Sequence, residues 1–80
     1  MVLVRLHGVI KEEGGIGVVN VDAKSVSEVL HKLPSRIKDI VGKYIKYVVI
    51  VVDGEILHVN SEKYLEGDEA VDIFLVAGGG

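Results

Sequence analysis

Ser25-Val26-Ser27-Glu28-Val29-Leu30-His31-Lys32-Leu33-Pro34 decides the fold, because it reads as a helix set between stretches that alternate like strands. Ser25 followed three residues later by Glu28 is a capping-box signature, in which side chains satisfy the amides that a helix start leaves open. Val26, Val29, Leu30 and Leu33 fall at i, i+3, i+4 and i+7, which is one apolar stripe. Pro34 ends the segment, since proline restricts the residue before it and has no amide hydrogen.

Working outward toward the N-terminus, Val2 to Ile10 places Val2, Val4, Leu6, Gly8 and Ile10 on one parity and Leu3, Arg5, His7 and Val9 on the other. That period suits a strand with its first set facing the core. Lys11-Glu12-Glu13-Gly14-Gly15 reads as a turn, with Gly14 or Gly15 supplying a positive φ, and Ile16 to Val21 returns as the second arm of a hairpin. Toward the C-terminus, Ile37, Ile40, Val41, Tyr44 and Ile45 keep helical spacing and predict a second, shorter helix, although Gly42 costs about 1 kcal/mol relative to alanine there. Tyr47 to Val52 is apolar on both parities, Asp53-Gly54 makes a hairpin turn, and Glu55 to Val59 returns. Asn60 to Lys63 and Glu66-Gly67-Asp68-Glu69 are loop and turn before a last strand from Val71 to Val76. Two hairpins joined by one crossover helix predict an α+β β-grasp domain over residues 1–76, with a mixed sheet of about five strands. Residues 77–80 read as a flexible glycine tail.

With 80 residues there is room for one domain, and a chain of this size buries only roughly 60% of its unfolded surface. A net charge of −3 and scattered cations argue against nucleic acid, which draws on clustered Lys and Arg. The longest apolar run, Val48 to Val52, is far short of the roughly 20 residues of a membrane span. The first strand carries Arg5 and His7 and does not read as a signal peptide, so the cytoplasm is the expected location. There is no cysteine, which removes disulfides, thiolate metal sites and a thiol nucleophile.

Three local features together resemble the ubiquitin-like sulfur carriers: the small subunit of molybdopterin synthase (MoaD) and the thiamine-pathway carrier (ThiS), with the archaeal ubiquitin-like small modifiers. They are Val4-Arg5-Leu6-His7-Gly8, the Ser25-Val26-Ser27-Glu28-Val29-Leu30 helix start, close to that family's Thr-Val-x-Glu-Leu-Leu, and Leu65-Glu66-Gly67-Asp68-Glu69 before an apolar strand and glycine tail. The last of these is similar to the family's Leu-x-x-Gly-Asp-Glu block. The tail fits two patterns. The molybdopterin type, Pro-Pro-Val-x-Gly-Gly, aligns Val76 and Gly78-Gly79, leaves Gly80 extra and puts Phe74 and Leu75 where the prolines stand. The thiamine type, Phe-x-Val-x-x-Gly-Gly, matches Phe74, Val76, Gly79 and Gly80 with nothing left over.

The resemblance implies a carrier rather than a catalyst. Its reactive group would be the carboxylate of Gly80, or of Gly79 if the end is trimmed, with Gly78 and Gly79 threading into an enzyme slot too narrow for side chains. A ubiquitin-activating-type adenylating enzyme would spend ATP on that carboxylate, and a sulfur donor would then displace AMP to leave a thiocarboxylate. The chain itself would hold no cofactor and no metal. A molybdopterin synthase large subunit is a further implied partner. On the last strand, inward Val71, Ile73 and Leu75 would turn Phe74 and Val76 outward, forming a docking patch with Leu3, Val49 and Val51. The reverse parity, with Phe74 in the core, is the alternative for so short an apolar strand. Two further functions stand beside sulfur transfer: a protein modifier joined through the same glycine to target lysines, and an interaction module with an inert tail.

The other polar residues have plainer readings. His7, His31 and His58 lack ligand spacing and read as solvated or packing side chains. Glu66, Asp68 and Glu69 form the rim of a turn. Gly14-Gly15-x-Gly17 resembles a phosphate loop, but as a link between two strands with no helix after it, it lacks the helix N-terminus that such a loop uses.

Overall fold

Ser25 caps its helix as the sequence predicts: in the computed structural model, which describes residues 1–76, its Oγ accepts a hydrogen bond from the Glu28 amide at 3.1 Å. The elements run β1 (Val2–Leu6), α1 (Gly8–Gly14), β2 (Val18–Val21), α2 (Val26–His31), α3 (Ser35–Lys43), a 3₁₀ turn (Ile45–Tyr47), β3 (Val48–Val52), β4 (Glu55–Leu57) and β5 (Ala70–Leu75). The strands form one five-stranded sheet in the order β2-β1-β5-β3-β4, parallel only between β1 and β5. This is the mixed β-grasp sheet that the two hairpins and their crossover predict.

The helices cover one face of the sheet. Val2, Val4 and Leu6 of β1, Ile50 and Val52 of β3, and Val71 and Ile73 of β5 point into a single core against Ile10, Val26, Val29, Leu33, Ile37, Ile40 and Val41. Leu65, in the loop before β5, is 1% exposed and closes the core, and its amide donates to the Lys24 carbonyl at 2.8 Å. Burying each such aliphatic side chain contributes about 1.5–3 kcal/mol, which is the main support for a domain this small. The Asp53-Gly54 turn takes φ of 50° and 81°, as a two-residue hairpin loop requires, and β3 and β4 pair in register across it.

The first connection differs from the expected hairpin. β1 stops at Leu6, and Gly8 to Gly14 form a helix where a strand end and a turn were predicted. Gly8, at φ 59°, bends the chain out of the strand, and Gly15, at φ 77°, caps the helix by donating its amide to the Lys11 carbonyl. The apolar pattern misleads because Leu6 and Ile10 are four apart, a spacing that satisfies both periods. Ile10 is buried as expected, but from a helix.

The second helix of the crossover is the longer one: α3 has 9 residues and α2 has 6. Pro34 both ends α2 and stands at the N-cap of α3, where its carbonyl accepts from the Lys38 amide at 2.8 Å. The crossover is therefore a pair of helices instead of one main helix. Strand β3 begins at Val48, one residue later than expected, because Tyr47 belongs to the 3₁₀ turn. Among the described residues, no helix is long and apolar enough to cross a membrane.

Candidate functional site

The face of the sheet that the helices leave open is built from strand residues of one parity. Strand β5 lies at its centre, with β1 parallel on one side and β3 antiparallel on the other. Val71 and Ile73 are fully buried and Leu75 packs on the core, so Asp72, Phe74 and Val76 face outward, which settles the parity. Phe74 is 38% exposed and pairs across with Val49, while Asp72 lies between Arg5 and Val51. Val76 is the last described residue, and its amide donates to the Tyr47 carbonyl at 2.8 Å. Gly78, Gly79 and Gly80, the predicted threading and acyl-bearing residues, lie outside the described residues.

The predicted patch is only partly continuous. Phe74, Val49 and Val76 stand together near the end of β5, and Val51 is one row further along, opposite Asp72. Leu3, at 36% exposed, pairs with Ala70 beyond the Arg5–Asp72 row, so an ion pair separates it from Phe74. Ile56, opposite Val51 on the edge strand, is more exposed than any of the predicted patch residues, at 74%.

That ionic row is the feature the sequence reading missed. Arg5 donates Nε to Asp72 Oδ1 at 2.7 Å and Nη2 to Oδ2 at 2.8 Å, a two-pronged pair whose planar geometry favours arginine. His7 Nε2 lies 2.8 Å from Asp72 Oδ1, and its ring stacks on Phe74 with centroids 4.3 Å apart and planes 7° from parallel. The Arg5 guanidinium holds the Asp72 carboxyl below its usual range, helped by His7 and opposed by partial burial. Phe74 is thus fixed from one side by an imidazole that is itself held by a carboxylate. The signal for this cluster is the shared outward parity of Arg5, His7, Asp72 and Phe74, but bringing them together requires the β1–β5 pairing.

Two of the remaining polar candidates, Glu69 and His58, have local partners. Glu69 accepts hydrogen bonds from the Glu66 and Gly67 amides at 2.8 Å each, which closes the turn and lowers its pKa. His58 Nδ1 accepts from the Asn60 amide at 3.1 Å. Among the described residues, no group of three His, Asp or Glu is gathered to hold a metal. The Gly14-Gly15-x-Gly17 run links α1 to β2 rather than two strands, and no helix follows it directly.

The sheet order, the crossover helices and the open face define a ubiquitin-like β-grasp fold. Solved structures similar to the chain along nearly its whole length have that fold. A chain in the crystal structure of the Amycolatopsis orientalis BexX/CysO complex is 18% identical, with a TM-score of 0.78 and 100% of both chains covered. SAMP1 from Haloferax volcanii is 16% identical, with a TM-score of 0.74 over 99% of this chain and 98% of that one. Mycobacterium tuberculosis CysO, described as an antigen, is 17% identical, with a TM-score of 0.74 over 95% of this chain and 99% of that one. No family model matches the sequence, and no curated protein matches it.

Proposed function

We propose that the chain is a ubiquitin-like sulfur carrier whose Gly80 carboxylate is adenylated by a partner enzyme and converted to a thiocarboxylate. A carboxylate is a poor electrophile, so ATP activates it first: the carboxylate oxygen attacks the α-phosphorus, pyrophosphate leaves, and an acyl-adenylate forms. The terminal sulfur of a donor persulfide then attacks the acyl carbon and AMP departs, leaving an acyl disulfide. A second thiol of the sulfur donor or of the partner enzyme attacks the donor's inner sulfur, so that the S–S bond breaks, a disulfide forms between the two thiols and the thiocarboxylate is released. The product holds sulfur on a chain that has no cysteine of its own. Nucleotide binding and proton transfer belong to the partner in this scheme, and the carrier supplies the acyl group and a docking face.

The observation that carries the proposal is the placement of β5. It is the central strand of a β-grasp sheet, and its outward-facing Phe74, with Val76 just past its end, precedes Ala77 and the glycine run. An aromatic anchor beside the tail base suits a partner that must grip the body while drawing the tail into its active site. The whole-chain likeness to a chain of the BexX/CysO complex supports a carrier that works with a protein partner. Molybdopterin, tRNA and thiamine sulfur are the candidate destinations, with a molybdopterin synthase large subunit as the partner in the first case.

The test is ATP–pyrophosphate exchange with the adenylating enzyme that copurifies with the chain. Full-length protein is expected to support exchange, and protein lacking Gly79-Gly80 is expected to support none. Phe74→Ala should raise the concentration needed for half-maximal exchange about tenfold or more, as loss of a central aromatic anchor does. Equal exchange with the truncated protein would refute the proposal. Conjugation to target lysines uses the same activated glycine and leaves a different trace. No Lys or Arg follows Lys63, so trypsin would leave the long Tyr64–Gly80 branch on a modified lysine instead of a diglycine.

A further inference from the structure

Gly14 and Gly42 both lie in helices, and only Gly14 has a packing reason to lack a side chain. A Cβ on Gly14 would collide with the buried Ile37 side chain, so α1 needs glycine to approach α3. A Cβ on Gly42 would meet nothing within 4 Å, and its φ is not among the positive ones. Glycine weakens helices without offering any contact in return, so its presence where the fold would accept alanine points to a constraint from outside the fold.

What lies over Gly42 is an open groove of about 300 Å³ between α2, α3 and the loop after β4. Leu30, Val41, Ile45 and Val59 give it apolar walls, and Lys38 and His31 stand on its rim. No carboxylate lines it, although the chain as a whole carries 12 acidic residues and a net charge of −3. Lys32, Lys43 and Lys63 each have an ion-pair partner, in Glu28, Glu13 and Glu55. Lys38 is exposed and, like Lys11, Lys24 and Lys46, has no carboxylate within ion-pair distance among the described residues, but it alone of these lines the groove.

We infer that this groove is a second docking surface, for a protein segment that presents an aliphatic side chain flanked by carboxylates. The apolar walls take the aliphatic group, Lys38 meets the carboxylate, and the missing Cβ at Gly42 lets the segment's backbone come close. The groove is on the helical side of the domain, away from the open sheet face. A partner held there leaves Phe74 and the tail free, so this surface is independent of the sulfur-carrier proposal.

The test is chemical-shift mapping on the ¹⁵N-labelled full chain with two synthetic helical peptides of equal length and identical leucine spacing. One carries Glu and the other Lys at the positions flanking the leucines. The Glu peptide is expected to give saturable shifts at Leu30, His31, Val41, Gly42, Ile45 and Val59, weakening as salt is added. Lys38→Glu should reduce affinity at least about tenfold, and Gly42→Leu, which fills the groove from an exposed helix position, should abolish it while leaving the remaining spectrum dispersed. Gly42→Ala keeps a test available if the leucine variant misfolds: it should weaken binding while raising Tm by about 4 °C. The inference is overturned by any of three results: no saturable shift at about 1 mM Glu peptide, equal binding of the Lys peptide, or shifts confined to the open sheet face.

Discussion

Asp72 accepts from Arg5 and sits within hydrogen-bond distance of His7, and the direction of its shift gives the open face a defined response to acid. Its carboxyl titrates below its ordinary value in the folded chain, so the unfolded chain binds more protons in the window between the two values. The stabilisation is fully present above the unfolded value of about 3.9 and is lost as pH falls through the lower folded value. Glu69 has the same sign, from the two amides it accepts. Thermal melts between neutral pH and about pH 2 should therefore show a falling Tm below about pH 4, with a shallower fall in Asp72→Asn than in the natural chain. Identical acid limbs in the two proteins would show that the cluster does not contribute. The outward parity of Arg5 was legible from the sequence, that of Asp72 and Phe74 was one of two readings of the last strand, and their meeting was not legible at all. Arg5 and Asp72 are 67 positions apart, and only the parallel β1–β5 pairing joins them.

At the scale of elements, the capped helix was readable because its signal is local: Ser25, Glu28, an apolar stripe and Pro34 all lie within one short segment. Ser25→Ala removes the bond to the Glu28 amide and should cost about 1 kcal/mol in urea unfolding, with Ser25→Asp retaining most of the stability. The two helical glycines should respond in opposite directions. Gly14→Ala forces Ile37 to move within a packed core and should destabilise by about 1–3 kcal/mol, whereas Gly42→Ala meets no neighbour and should stabilise by up to about 1 kcal/mol. The same sign of change for both variants in denaturant melts would contradict the packing described for α1 against α3. Helix α1 escaped the sequence reading because Val2 to Ile10 continues the strand period through a residue that is in fact helical. What breaks the strand is the positive φ of Gly8, and a glycine in a sequence does not announce which conformation it takes.

For the molecule as a whole, topology joins the two parts of the proposed function. Because β5 is central and runs parallel to β1, the chain leaves the sheet at Val76 beside Phe74, Val49 and Tyr47, with the helices on the other face. The open face is therefore available to a partner at the point where the described chain ends. The hairpins, the crossover and the strand parity were sufficient to predict the β-grasp arrangement, because alternation fixes faces even where element ends are uncertain. The ionic row dividing Leu3 from Phe74 was not predictable in that way, since it depends on which strands become neighbours. Sulfur transfer rests on the chemistry of the glycine terminus, which the intact mass of the protein from cells that make it naturally reads out. A species heavier by about 16 Da is expected, from replacement of a terminal OH by SH, with the change confined to the Gly80-containing fragment. A terminus that stays an ordinary carboxylate when supplied with an adenylating enzyme, ATP, a persulfide donor and a reducing thiol would rule sulfur transfer out.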